Sequence, residues 1–211
     1  MTTINTSEVY NRFANEYDEW FERHPNLYQS ELLAMKQAVP QNKTGIEIGV
    51  GSGRFAEPLD IKYGVEPSAS MAELAKQRGV KVFNAIAELM PIENQSYDFA
   101  TMVTTVCFLN DIPKAFSEVH RILKPKGLFI IGLIHGNSEL GKKYEQQKAT
   151  NKFYSDAHFH STEEIARLLA DSGFDGFSYW QTITHPEENK IEQPLAGYGK
   201  GSFVVIRAIK Q

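Results

Sequence analysis

Hydrophobic and polar positions along this chain switch repeatedly between two periods. Short apolar runs of strand character recur at Thr44–Val50 (TGIEIGV), at Ile61–Glu66 (IKYGVE), from Val80 (VKVFNA), from Tyr97 (YDFATMVTT) and from Gly127 (GLFIIGLI). Helical patterns lie between them. The clearest covers Pro113–Leu123, with Ala115, Phe116, Val119, Ile122 and Leu123 on one face; Pro113 suits a first turn, and Lys124–Gly127 (KPKG) reads as its stop. Another opens at Ser70, whose spacing to Glu73 is that of a capping box, and ends at Gly79. The alternation predicts an open α/β sheet, mainly parallel, with helices on both faces.

The two ends of the chain read differently. Near the N-terminus, Val9, Phe13, Tyr17, Trp20 and Phe21 fall on one face of a helix that docks on the rest and is read as a lid. In the last third, a helix enters through Ser161 and Glu164, carries Ile165, Leu168 and Leu169, and stops at Gly173. Two strand patterns follow with no convincing helix between them, FSYWQTIT from Phe177 and SFVVIRAI from Ser202. Strands joined without a crossover helix are antiparallel neighbours, so an antiparallel C-terminal hairpin is expected at one sheet edge. The expected plan is one domain over 1–211: a helical cap (1–40), a binding core (41–134), an insertion (135–161), and a C-terminal helix and hairpin (162–211).

Composition narrows the partners. With 211 residues and 42% hydrophobic content the chain can bury a core, and a formal charge of −4 argues against nucleic acid or anionic lipid and for a small molecule. The single cysteine, Cys107, has no internal disulfide partner and reads as core packing. The first twenty residues lack the apolar core of a secretory signal, so a cytoplasmic location is expected. The longest apolar run, Leu128–Ile134, falls far short of the roughly 20 residues a membrane helix needs, so no membrane partner is expected. Nothing in the pattern indicates an oligomeric state.

The chemistry concentrates in Gly45–Leu59, GIEIGVGSGRFAEPL. Gly49, Gly51 and Gly53 alternate directly after a strand carrying Glu47, in the turn where an open α/β sheet binds its ligand. A dinucleotide fingerprint, G-x-G-x-x-G/A, wants a small residue where this chain has Arg54. The pattern is instead E-x-G-x-G-x-G. Glu66 ends the second strand, where its two oxygens can accept from both hydroxyls of a ribose. An acid there also serves NAD enzymes, so the glycine spacing is what discriminates.

From about Tyr10 to Ile134 the chain resembles the class I S-adenosylmethionine-dependent methyltransferases, in particular the small-molecule, type 11-like group that includes ubiquinone and menaquinone biosynthesis enzymes. EIGVGSG resembles their first motif, GVEPSASM their ribose-binding second strand, AELMPIENQSYDFATM the segment leading to the fourth strand, and RILKPKG the turn before the fifth. The resemblance implies a Rossmann-like fold and S-adenosyl-L-methionine as cofactor. It places Gly49, Gly51 and Gly53 beside the methionine moiety, Glu47 at its amino group, Glu66 at the ribose, Met71 near adenine, and the adjoining Pro67 among the cofactor-binding residues. It also implies a backbone N–H of Ala87 on adenine, Thr104 and Thr105 facing the cofactor, and Tyr17 approaching its carboxylate. Relatives commonly carry an Asp where this chain has Ile86, so either Glu88 or a backbone carbonyl takes over the adenine amino group, or adenine is held less tightly.

The insertion begins at the ligand-binding edge, and its length and aromatic content suit a substrate-side lid. Lys142, Lys143, Lys148 and Lys152 are interrupted by Glu139, Glu145 and Asp156, the pattern of a solvated face. His135, His158 and His160 are the candidates for a catalytic base, but aligning two reactants supplies roughly 7–11 kcal/mol against about 10²–10⁴-fold from a base. Methyl transfer driven by positioning is therefore expected, and no metal, because His158 and His160 find no third ligand at convincing spacing. The alternatives are a non-catalytic S-adenosylmethionine-binding sensor or interaction module on the same fold, and an NAD-dependent oxidoreductase, which Arg54 disfavours.

Overall fold

A computed structural model describes residues 6–211. Helices α1 (Thr6–Arg23) and α2 (Pro25–Ala38) precede strand β1 (Gly45–Ile48). Then come β2 (Tyr63–Val65), α3 (Ala69–Gln77), β3 (Lys81–Phe83), β4 (Tyr97–Val103), α4 (Ile112–Ile122) and β5 (Leu123–Ile134). Helices α5 (Glu139–Gln147) and α6 (Thr162–Asp171) lead to β6 (Phe174–Thr182), a two-residue β7 (Leu195–Ala196) and β8 (Phe203–Lys210).

All eight strands form one sheet in the order β3-β2-β1-β4-β5-β8-β6-β7. The first five run parallel; β8 is antiparallel to both β5 and β6, and β7 is antiparallel to β6. The chain steps outward from β1 to β3 and then returns to β4 on the other side of β1. Strand order therefore reverses between β1 and β4, and the crevice beyond their carboxyl ends is where such a sheet takes a ligand.

The strands are apolar for a physical reason. β1 is buried at all four positions, as a strand covered on both faces must be. Along β5, Phe129 and Ile131 enter the core that also holds Phe116, Phe174, Ile165 and Leu169, while Ile130 faces the opposite core with Met35, Phe99 and Phe203. That alternation is the period of two a strand imposes. The Phe116 and Phe129 rings meet edge to face at 5.3 Å.

Several boundaries depart from the sequence expectation. The capping serine of α3 is Ser68: its extended backbone presents Oγ to the Met71 N–H at 3.3 Å, while the Ser70 N–H donates to Asn11 Oδ1. Helix α4 ends at Ile122, so Lys124–Gly127 lies within the irregular start of β5, where the register with β4 slips and Lys126 turns to φ +62°. Residues 49–60 form a chain of turns closed by Asp60 at φ +56°, and the β3–β4 connection holds only a bridge between Ile86 and Leu89. Helices therefore alternate with strands less regularly than the pattern predicts. Helix α6 begins as expected, its Ser161 Oγ accepting the Glu164 N–H. The expected C-terminal antiparallel pair is present, with β8 on its inner side, between β5 and β6.

Candidate functional site

The glycine turn is fixed by its neighbours. The Gly49 and Val50 N–H groups both donate to the Val65 carbonyl, at 2.8 and 3.0 Å, tying the turn to the end of β2. Gly49 has φ +71°, and a Cβ there would stand 2.4 Å from Thr105 Cγ2. Gly53 has φ +85°, and a Cβ there would come within 3.1 Å of the α3 backbone at Ala75. Glycine meets both demands because it alone combines a left-handed backbone with no side chain. Thr105 Oγ1 donates to the Gly49 carbonyl at 3.3 Å, so the ends of β1 and β4 touch.

Two acids serve this turn. Glu66 Oε2 accepts the Gly51 N–H and Oε1 the Ser68 N–H, each at 2.9 Å, which leaves a further lone pair on each oxygen. Burial raises its pKa and the two backbone donors oppose the rise. Glu47 is 2% exposed, and its Oε2 has no hydrogen-bond partner. Burial first, then the charge of Glu66, lifts its carboxyl well above the usual range. An acid so placed favours a cationic neighbour. Met71 is buried with its Cε 3.5 Å from where a Gly51 Cβ would stand, and Pro67 is exposed at the corner that Asn84 Nδ2 braces through the Glu66 and Pro67 carbonyls.

Beyond β3, Ala87 is buried while Ile86 is 49% exposed. Glu88 is committed elsewhere: its Oε1 accepts the N–H groups of Asn110 and Asp111 at 3.1 and 3.3 Å, at the entrance to α4.

Helix α1 lies over the site and has two different attachments. Asp18 accepts from Arg54 Nε and Nη2 at 2.9 and 2.7 Å and from Arg78 Nη2 at 2.8 Å, while Arg54 Nη1 reaches Glu22. Burial alone would raise the Asp18 carboxyl, but hydrogen bonds from Arg54 and Arg78 outweigh it and hold its pKa at about 2. The residue that breaks the dinucleotide fingerprint thus clasps α1 to the glycine turn. The N-terminal half of α1, beyond a kink at Phe13, is held by rings. Tyr10, Phe13 and Tyr17 pack around Phe153 at 5.8, 6.4 and 5.5 Å, and Lys152 stands 4.1 Å over Phe13 while pairing with Glu16.

Tyr17 lies beside Thr104 at the end of β4, and burial pushes its pKa up. Tyr10 lies 5.2 Å from Tyr17 ring to ring, within reach of the charge of Glu66. Sequence reading missed Tyr10, although its spacing of seven from Tyr17 is a helical-face signal. It also missed Glu31, Tyr144 and Tyr154, which no spacing marks.

Two spaces open beside these residues. A groove of about 520 Å³ between α1, α2 and α5 is lined by Tyr17, Trp20, Leu27, Leu140, Tyr144 and Tyr154 among others. A small cavity of about 20 Å³ at the ends of β4 and β5 is lined by Thr104, Cys107, Leu133, Tyr154, Phe159 and His160 among others. Tyr154 belongs to both. A larger groove of about 750 Å³ between α1 and α3 contains none of the proposed binding residues.

The histidines separate. His135 is buried with Nδ1 accepting the Thr162 N–H at 3.1 Å, so it anchors the start of α6. His158 is exposed, and its N–H bonds the Cys107 carbonyl. His160 alone reaches the small cavity, with Nδ1 3.1 Å from Glu164. Burial pushes the Cys107 thiol up to about 12, which removes it as a nucleophile at neutral pH. Among the described residues, the potential metal-ligand group is His185, Glu187 and Glu188, all exposed; no described helix is long and apolar enough to cross a membrane.

Comparison with known proteins agrees with this geometry. A family model described as a methyltransferase domain matches residues 46–131. The fold superposes with a TM-score of 0.93 on a SAM-dependent methyltransferase of Thermotoga maritima, described as a "possible histamine N-methyltransferase", at 48% identity over 97% of this chain and 99% of that one. An uncharacterized protein of Methanocaldococcus jannaschii is 42% identical over 204 residues, 96% of this chain and 98% of its own. The 2-phytyl-1,4-naphtoquinone methyltransferase of Nostoc punctiforme is 28% identical over 169 residues, 72% of this chain and 74% of that one. The chain belongs to the class I S-adenosylmethionine-dependent methyltransferases.

Proposed function

We propose that the protein methylates a small molecule held beneath α1 and the 135–161 segment. The observation that carries this reading is the pair of buried acids at the glycine turn, one with an orphaned oxygen. Glu47 would meet the cofactor's ammonium, and the free lone pairs of Glu66 its ribose hydroxyls. Met71, Pro67 and the Ala87 N–H would bound adenine, with Ile86 offering an apolar wall where relatives use an acid. Gly49, Gly51 and Gly53 pass the backbone beside the methionine moiety, and Tyr17 and Thr104 stand at the reacting end. Glu88 has no part in this arrangement, since its oxygen is engaged by the loop before α4.

Bound S-adenosylmethionine supplies an electrophilic methyl on a sulfonium. The protein's own task is alignment and exclusion of water, for which the rings of Tyr10, Tyr17 and Phe153 close the site. A groove of about 520 Å³ is of the size that holds small ligands. The named acceptors of two relatives, histamine and a naphthoquinone, are also small molecules.

Titration calorimetry tests the reading. S-adenosylmethionine and its demethylated product bind, and in buffers of different ionisation enthalpy the binding releases protons at pH 7, because a cation beside Glu47 makes its carboxyl ionise. Binding of NADH in place of both ligands would overturn it. Incubation with methyl-labelled cofactor and a panel of small acceptors, read by mass spectrometry, tests turnover.

A further inference from the structure

We propose that His160 is the catalytic base of methyl transfer to an aromatic hydroxyl, and that Glu164 positions its ring. The inference rests on the methyltransferase reading above and deepens it by naming the acceptor class.

The chain from His158 to His160 is laid across the space just beyond the ends of β4 and β5. The His158 N–H donates to the Cys107 carbonyl at 2.8 Å, and the His160 carbonyl accepts the Gly136 N–H at 2.9 Å. Glycine permits the second contact, since a Cβ at Gly136 would stand 2.2 Å from the Phe159 carbonyl oxygen. Ser161 then caps α6, which puts Glu164 in the first turn with its carboxylate reaching back to His160: Nδ1 and Oε1 are 3.1 Å apart. That pairing seats the ring proton on Nδ1 and leaves the lone pair on Nε2. The imidazole is 19% exposed, and the residue walls the cavity of about 20 Å³ together with Thr104 and Tyr154.

A cavity of that size takes one water-sized group, which is what the hydroxyl of an acceptor is. The larger groove shares Tyr154 with it and is walled by the rings of Tyr17, Trp20 and Tyr144, which suit a flat aromatic body. The other titratable groups on the cavity are Cys107 and Tyr154; burial pushes the thiol up to about 12 and holds the phenol well above its usual range. Both keep their protons at neutral pH, so the imidazole is the cavity wall that can accept one. A neutral amine already exposes a lone pair and gains little from a base, whereas a phenol becomes a strong nucleophile as its proton leaves. An alkanol holds its proton too firmly for an imidazole to help. In the step, Nε2 takes the hydroxyl proton; the O–H bonding pair stays on oxygen and forms the O–C bond while the C–S pair departs with sulfur. The imidazolium, held by the Glu164 carboxylate, then gives its proton to solvent. Alignment supplies the larger share of the acceleration, and the base adds about 10²–10⁴-fold.

The test uses the full chain and two readouts. In the first, 4-nitrophenol, whose anion absorbs in the visible, is titrated with pH on protein loaded with the demethylated cofactor. On the wild type the bound phenol ionises at a pH at least about one unit lower than on His160→Gln, because an imidazolium beside it favours the anion. In the second, 2-naphthol, catechol and 4-nitrophenol are supplied with S-adenosylmethionine, and the wild type methylates at least one of the first two on oxygen. His160→Gln lowers kcat for that acceptor, which is protonated at pH 7, by about 10²–10⁴-fold. It lowers kcat for 4-nitrophenol at pH 9, where that acceptor has already lost its proton, by less than about tenfold, and leaves cofactor affinity within about twofold. Should His160→Gln unfold, Glu164→Gln, which keeps the imidazole and the cap of α6, lowers kcat for the protonated acceptor by about tenfold and spares the ionised one. Equal losses on the two kinds of acceptor would overturn the proposal, as would identical titration of bound 4-nitrophenol on wild type and variant, or no methylation of 2-naphthol and catechol. Failure of the wild type to bind either form of the cofactor would instead overturn the methyltransferase reading.

Discussion

The proposed cofactor side and the proposed acceptor side of this site are built from different materials. Around the glycine turn, backbone amides and ion pairs do the holding: Gly51 and Ser68 grip Glu66, and Arg54 and Arg78 grip Asp18. Around the groove, aromatic rings do it: Tyr10 and Phe153 pack on Tyr17, and Tyr144 stacks on Tyr154. A shared cofactor needs fixed donors and acceptors, whereas rings offer shape and low polarity that can be recut for a different acceptor. Sheets of this kind keep one side and vary the other.

The largest expected effect breaks the cofactor side. Glu66→Ala removes the proposed ribose acceptor and strands the N–H groups of Gly51 and Ser68, so S-adenosylmethionine affinity falls by about a hundredfold, near 2.7 kcal/mol, by calorimetry.

Next comes a change in α2 with the opposite sign. The Glu31 carboxyl is raised from 4.5 to about 8 in the folded protein, so folding stability is fully present below pH 4.5 and is lost as pH rises through 8. Glu31→Gln abolishes that loss. In urea melts it stabilises the unliganded protein by on the order of 2–3 kcal/mol at pH 9 and by little at pH 5.

Smaller again is the clasp. The Asp18 carboxyl drops from 3.8 to about 2 on folding, so its contribution is present above pH 3.8 and disappears as pH falls through 2. Because the group is partly exposed, solvent screening reduces the effect, and Asp18→Asn costs about 1 kcal/mol at pH 7. Limited proteolysis of the variant would show cleavage within α1 first. The smallest effect is at the exposed His158: His158→Asn leaves both methyl transfer and thermal stability unchanged. A large loss of kcat there, with cofactor affinity intact, would make this histidine an essential base.

The same contrast explains what could be read in advance. The glycine turn and the acid beside it were legible because a tight strand-to-turn passage demands particular residues at particular separations. Arg54 was visible as a departure from a fingerprint, but its partner Asp18 lies 36 positions away, and pairing between remote segments leaves no periodic trace. Glu31 was invisible because a glutamate in a helix reads by default as a solvated one. Two serines two positions apart offered α3 a cap, and spacing favoured Ser70; the extended backbone of Ser68 and the reach of Asn11 to Ser70 decided for the other. The antiparallel C-terminal pair followed from the missing crossover helix, but periodicity holds no information about which member lies inside. The three histidines looked alike in sequence, and only tertiary packing separated an anchor, a surface residue and a cavity wall.

The position of β8 bears on the way the chain comes off the ribosome. Seven strands are synthesised before it, yet it lies between β5 and β6, and its Lys210 ammonium donates to the carbonyls of His120 and Leu123 at 2.6 and 2.7 Å. Until residues 203–210 emerge, the free side of β5 and the facing side of β6 expose unpaired amides and carbonyls flanked by apolar side chains. Such edges recruit other strands. The nascent protein therefore carries two open strand edges until β8 emerges and inserts between them.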